Sequence, residues 1–182
     1  MKRSAKAVGV ILGVAVVGIA FWFVTQKNVV RAASVSPSVP SAMVCRPVHG
    51  VINSTFTTQN CTSPVGLCTT GAITGSGILD GPTTFTALAV APSAGLSPVE
   101  PAANLSYSGQ LTITASHGTM TTDDLGVLDA SHLAFSEMER PASGTGIFAN
   151  PTNSVFFISG ALVDNGQGFQ GDLSGTICFG SN

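Results

Sequence analysis

The chain is 182 residues long with a formal charge of −2, and only 9 % of its residues are charged, against about 25 % in an ordinary soluble domain. The charge is unevenly placed: Lys2, Arg3, Lys6, Lys27 and Arg31 stand near the N-terminus with no acid, whereas residues 32–182 keep only Arg46 and Arg140 against every carboxylate of the chain. A domain with no lysine and so few arginines cannot neutralise a phosphate backbone, which excludes nucleic acid as a partner. With 44 % hydrophobic residues the chain is also too apolar to stay disordered.

The first element is the uncharged run from Ala7 to Val24, which follows Lys2, Arg3 and Lys6. It is longer than the roughly 7–15 residues of a usual signal core and at the lower edge of the roughly 17–25 of a membrane span. Residues 1–32 therefore read either as a signal peptide, with Val30-Arg31-Ala32 offering cleavage after Ala32, or as an uncleaved transmembrane anchor. The flanking basic residues place the N-terminus inside the cell and the rest outside. Both readings make the remainder extracellular, secreted or held at the cell surface, and any membrane contact runs through this segment alone. Residues 33–43, with Pro37 and Pro40, read as a flexible to semi-extended linker. The domain is expected over residues 44–182.

Four cysteines, Cys45, Cys61, Cys68 and Cys178, all follow the export segment. An even number in an exported chain points to disulfides, with three possible pairings. The short segment from Cys61 to Cys68 contains Pro64 and Gly66 and can fold back on itself, which makes that pair the first choice. Cys45 and Cys178 would then join the first strand to the last. A zinc site fits poorly, because there is no CxxC and His49, His117 and His132 are scattered.

Beyond the linker the pattern has period 2. Val48, Gly50, Ile52, Ser54 and Phe56 share one parity, as do Leu105, Tyr107, Gly109, Leu111 and Ile113, and Phe169, Gly171, Leu173, Gly175 and Ile177. Such alternation marks half-buried antiparallel strands. Seven or eight are predicted, near residues 47–58, 68–80, 83–90, 104–116, 118–128, 131–139, 154–163 and 168–180. Asp164-Asn165-Gly166-Gln167 is the clearest hairpin turn, since Asn-Gly accepts positive φ. Eight short strands fit a closed barrel or a sandwich, and glycine on the inward parity of the last strand favours the barrel.

Parity also selects polar residues for the lumen. Tyr107 and His117 share the face of Leu111 and Ile113, and Glu137 and Glu139 share that of Leu133 and Phe135. His117 and Glu139 stand at strand ends and are expected in solvent. A Glu137–Tyr107 or Glu137–His117 contact would serve acid–base chemistry or orient a polar group of a ligand. The structural alternative is Glu137 paired with Arg46 or Arg140. Asp123-Asp124 and Asp129 lack the spacing of a calcium loop and read as solvated acidic turns. There is no phosphate-binding glycine loop and no nucleophile elbow, so no cofactor and no catalytic residue is indicated.

Gly144-Thr-Gly-Ile-Phe-Ala-Asn-Pro-Thr-Asn153 resembles the G-T-G-x-F-A-x-A-T-G signature of the allene oxide cyclase-like barrels, with Pro151 and Asn153 in place of Ala and Gly. The segment Gly171-Asp-Leu-Ser-Gly-Thr-Ile-Cys178 and the stretch from Phe56 to Gly71 resemble the same group. The resemblance implies an all-β fold, an eight-stranded antiparallel barrel with an apolar central cavity, in a group that includes cyclases of oxidised fatty acids and dirigent proteins. Homo-oligomers are common in such a group. The expected function is an exported small barrel that binds a small apolar ligand or a partner protein without catalysis. The alternative is a cyclase or isomerase acting in the lumen. Filling by Phe56, Phe135, Phe157 and Phe169 would favour the first, and an open cavity exposing Glu137 the second.

Overall fold

The computed structural model describes residues 43–93, 104–151 and 153–180. The expected export segment and the linker up to residue 42 lie outside them. Among the described residues no helix is long and apolar enough to cross a membrane.

Eight strands follow one another: β1 (Met43–Thr57), β2 (Cys68–Thr74), β3 (Gly81–Pro92), β4 (Asn104–Ala115), β5 (Gly118–Asp129), β6 (Ala134–Gly144), β7 (Val155–Val163) and β8 (Gly168–Gly180). Each pairs antiparallel with the next, and β8 returns to β1, so the sheet closes into a barrel. Closure gives every strand two neighbours and so leaves no edge strand, which matters for a chain poor in charged gatekeepers.

Two strands depart from the pattern read in the sequence. β2 ends at Thr74 rather than near residue 80. Gly75 and Gly77 turn the chain out with φ of +78° and +70°. Asp80 Oδ1 then accepts the Ser76 N–H at 2.7 Å, and Ser76 Oγ accepts the Leu79 N–H at 3.0 Å, fixing the corner. β6 runs on past Pro141 to Gly144. Thr121 pairs with Ser143 but Thr122 with Pro141, so the ladder skips Ala142. A bulge of this kind tolerates a proline that a regular central strand would not.

The barrel is solid at one end and hollow at the other. Toward the β4–β5 turn, Val48, Ile52, Ile73, Ile113, Met120, Phe156, Leu173 and Ile177 fill the interior and are almost wholly buried. Phe148, from the short 3₁₀ turn Gly146–Phe148 between β6 and β7, is buried with them. At roughly 1.5–3 kcal/mol per fully buried large side chain, this half carries most of the hydrophobic stabilisation. Toward the opposite end the inward residues are Phe56, Leu105, Tyr107, Leu128, Phe135, Leu162 and Phe169, and space remains between them.

Both expected disulfides are present: Cys61–Cys68 closes the β1–β2 connection, and Cys45–Cys178 joins β1 to β8. Cys45 and Cys178 are direct partners in the β1–β8 ladder. Two disulfides are compatible with an extracellular location.

Candidate functional site

The hollow end of the barrel holds a cavity of about 100 Å³. Its wall is built by the inward parity of the strands, and is apolar apart from Thr69, Tyr107 and Glu137. Aromatic rings form much of it. Phe135 and Phe169 meet edge to face with centroids 5.2 Å apart, and Phe85 meets Tyr107 the same way at 6.3 Å. Phe56 and Val90, both on the wall, are more than a third exposed, so the cavity reaches solvent at the rim.

The polar end of the cavity comes from one row of the sheet. Tyr107 on β4 faces Gly126 on β5, and Gly126 faces Glu137 on β6. Because Gly126 has no side chain, the Tyr107 ring lies across β5, and its hydroxyl donates to Glu137 Oε2 at 2.8 Å, two strands away. A Cβ on Gly126 would stand 2.2 Å from Tyr107 Cζ and 2.5 Å from its hydroxyl oxygen. Gly126→Ala is therefore expected to cost about 1–3 kcal/mol in urea denaturation through overpacking. It should also shift the Tyr107 ultraviolet absorption as the ring is pushed off Glu137. An unchanged spectrum and stability would show that the ring has room to move.

In the next row Asp124 on β5 faces Glu139 on β6. Oxygens of Asp124, Glu137 and Glu139 all lie within 4.8 Å of one another, and all three residues are buried. The Thr122 hydroxyl reaches the Leu111 carbonyl at 3.2 Å and also Glu139 Oε2. Holding a single proton, it donates to one of them, and a protonated Glu139 can donate to it in return. Both Asp124 oxygens and Glu139 Oε1 are buried with no partner as carboxylates. Ionised acids packed this closely in an apolar wall repel one another and lose their hydration. Burial, reinforced by the charges of Glu137 and Glu139, pushes Asp124 up to about 10. Burial and then Glu137 push Glu139 up to about 8. Burial raises Glu137 as well, against the hydrogen bonds of Tyr107 and Asp124. Burial and then Glu137 raise Tyr107 far above its ordinary range, so its hydroxyl is always a donor. Once protonated, Asp124 is the natural bridge, donating to a neighbouring carboxylate. The spacing of the cluster is also one that a hard cation with oxygen ligands could span.

Tyr107 and Glu137 thus come together as the alternation suggests, and the other expectations separate. His117 is exposed in the β4–β5 turn and takes no part in the lumen. Arg46 lies over the Phe179 ring at 5.8 Å and Arg140 is exposed on the outer face opposite Asp123, so neither pairs with Glu137. Glu139 is 0 % exposed rather than solvated, because β6 continues past it through the bulge. Asp124 belongs to the interior of β5 rather than to an acidic turn. Asp129 does sit at a turn, where its carboxylate accepts the Ser131 N–H at 3.0 Å and the His132 N–H at 3.2 Å. Of the four phenylalanines expected in the lumen, Phe157 points outward and is 45 % exposed. Leu133, expected inward, has φ +56° in the β5–β6 turn and is exposed.

Compared with family models, with curated proteins and with solved structures, the chain matches none.

Proposed function

We propose that the protein is an exported barrel that holds a small apolar molecule in the hollow end of its lumen without converting it. We place it with the allene oxide cyclase-like barrels that its Gly144–Asn153 and Gly171–Cys178 segments resemble. The observation that carries the proposal is the cavity itself: about 100 Å³ with leucine and phenylalanine walls and an open rim, in a barrel whose other half is packed solid. Proteins do not leave such space in a core by default, since packing elsewhere approaches that of organic crystals. An apolar cavity of similar size, about 150 Å³, stays dry and takes up benzene. The volume suits a molecule of about six to eight heavy atoms, or one end of a longer one whose remainder leaves by the rim.

The test is native mass spectrometry of the protein isolated from its own host, together with uptake of an apolar fluorescent probe. A small adduct lost on denaturation, or saturable probe uptake blocked by Leu128→Trp, is the expected result. No adduct and no uptake would reject lumen binding. The second reading, a cyclase or isomerase, is favoured by one observation, an acid and a phenol side by side on the cavity wall. It requires that an identified ligand leave the lumen chemically changed, and that Glu137→Gln abolish the change.

A further inference from the structure

We propose that the molecule held in the lumen is a protonated amine with an apolar body, its N–H donated to Glu137. This rests on lumen binding as proposed above and adds the chemistry of the occupant.

Three observations lead to it. The first is that the acid on the cavity wall is an acceptor. Glu137 Oε2 takes the Tyr107 hydroxyl at 2.8 Å, and Asp124 is its other donor. A carboxylate has about four lone-pair positions, so two donors leave Glu137 able to accept from an occupant of the cavity it lines. Both donors favour the charged form of Glu137, and that charge in turn raises Asp124, Glu139 and Tyr107. Glu137 is therefore where the cluster first carries a negative charge.

The second is the lack of a counter-charge. Among the described residues no basic side chain lines the cavity. Arg46, Arg140, His49, His117 and His132 are all exposed. The groups facing Glu137 are Tyr107 from β4, Asp124 from β5 and Glu139 from its own strand, while β7 contributes Ile158. None of these can be a cation. The third is the rest of the wall. Thr69 on β2 is also polar, and its hydroxyl can donate or accept, so it does not oppose a cation. The rings of Phe56, Phe85, Phe135 and Phe169 line the same cavity, and aromatic faces attract cations.

Charge then selects among apolar molecules. A hydrocarbon leaves the Glu137 charge unpaired in an apolar wall. An alcohol gives it a hydrogen but no charge. A carboxylate brings a second negative charge against the cluster. A protonated amine supplies both the hydrogen and the charge. A tertiary ammonium fits best, since it has one N–H to give and is otherwise hydrocarbon. The acidic balance of residues 32–182 also draws cations toward the rim.

The experiment uses calorimetry on the full protein at pH 7. It compares N-methylpiperidine, which is cationic there, with methylcyclohexane, which has the same shape and no charge. Cyclohexanol and cyclohexanecarboxylate are measured alongside. N-Methylpiperidine is expected to bind at least about tenfold tighter than methylcyclohexane, the worth of one charged hydrogen bond. Glu137→Gln keeps the shape and an oxygen for Tyr107 but removes the charge. It should weaken N-methylpiperidine about ten- to a hundredfold and methylcyclohexane less than about threefold. Thr69→Val should cost the amine less than Glu137→Gln does. If Glu137→Gln does not fold, the ranking of the four compounds in the parent protein decides. The proposal is overturned if cyclohexanol or cyclohexanecarboxylate binds as tightly as the amine, or if Thr69→Val costs the amine as much as Glu137→Gln. It is also overturned if calcium alone binds with one-to-one stoichiometry and is lost in Asp124→Asn, because a metal behind Glu137 would supply the missing charge. If methylcyclohexane binds and the amine binds no tighter, this inference fails and lumen binding stands. If none of the four binds, lumen binding itself fails.

Discussion

Replacing Cys45 and Cys178 together by alanine is expected to remove about 5 kcal/mol of stability, the largest effect of any change considered. The bridge spans a sequence separation of 133. On the chain-entropy account a loop of that length costs the unfolded chain about 5 kcal/mol, whereas the separation of 7 between Cys61 and Cys68 gives only about 2–3 kcal/mol. Against a total stability of about 5–15 kcal/mol for a domain, the first loss is decisive and the second is tolerable. The location adds to it. β1 and β8 are the ends of the domain, their ladder runs from Met43–Gly180 to Thr55–Gly168, and it is the one that turns an open sheet into a barrel. In calorimetry the double variant should melt roughly 10–20 °C lower, while Cys61→Ala with Cys68→Ala should lose about half as much. Equal losses for the two bridges would mean that loop length is not what sets their worth. A loss under about 1 kcal/mol at Cys45–Cys178 would mean that the ladder holds the barrel closed unaided.

Stability is expected to fall as pH rises, which is the reverse of a protein stabilised by ion pairs. Asp124 moves from its ordinary 3.8 to about 10 in the folded protein, and Glu139 from 4.5 to about 8. Both therefore bind protons on folding over the range in between. A group whose folded value is raised gives its stabilisation in full below the unfolded value, and loses it as pH climbs toward the folded value. Each proton taken up lowers stability by about 1.4 kcal/mol for every pH unit. Urea denaturation at pH 5, 6, 7 and 8 should show a decline corresponding to between one and two protons. Asp124→Asn keeps the shape and removes one titrating group, so the variant should be more stable than the parent at pH 8 and flatter across the range. A parent curve that rises between pH 5 and 8 would show that the cluster is ionised, with a counter-charge that the protein itself does not supply.

The barrel and the Tyr107–Glu137 pair could be read from the chain because both rest on period 2, which is strong where one face of a strand is packed and the other wet. Leu105, Tyr107, Leu111 and Ile113 keep one parity through β4, and Phe135 and Glu137 keep it in β6. The remainder of the carboxyl cluster was hidden by local signals that tertiary structure overrode. Asp123-Asp124 looks like a turn, yet Met120, Thr122, Asp124 and Gly126 alternate without a break and all face inward. Followed through, that parity would have placed Asp124 beside Glu139. The strand predicted near 131–139 stops at Glu139, and only a bulge, which depends on the partner strand, carries β6 past Pro141. His117 and Leu133 kept the correct parity on paper but stand in turns, where parity no longer says which way a side chain points.

A barrel with one packed half and one open half has cavity-lining residues that its packed core does not share, beside Phe85, Leu111 and Phe135, which belong to both. Val90, Leu105, Leu128 and Leu162 line the open half and are absent from the solid core of Ile52, Ile113, Met120, Phe156 and Ile177. Drift at those four positions reshapes the cavity while the packed end goes on supplying the fold. If the lumen binds as proposed, the same scaffold can change its small molecule through single substitutions at these positions. Gly126 extends this control at a distance, because it sets where the Tyr107 hydroxyl meets Glu137 without lining the cavity itself.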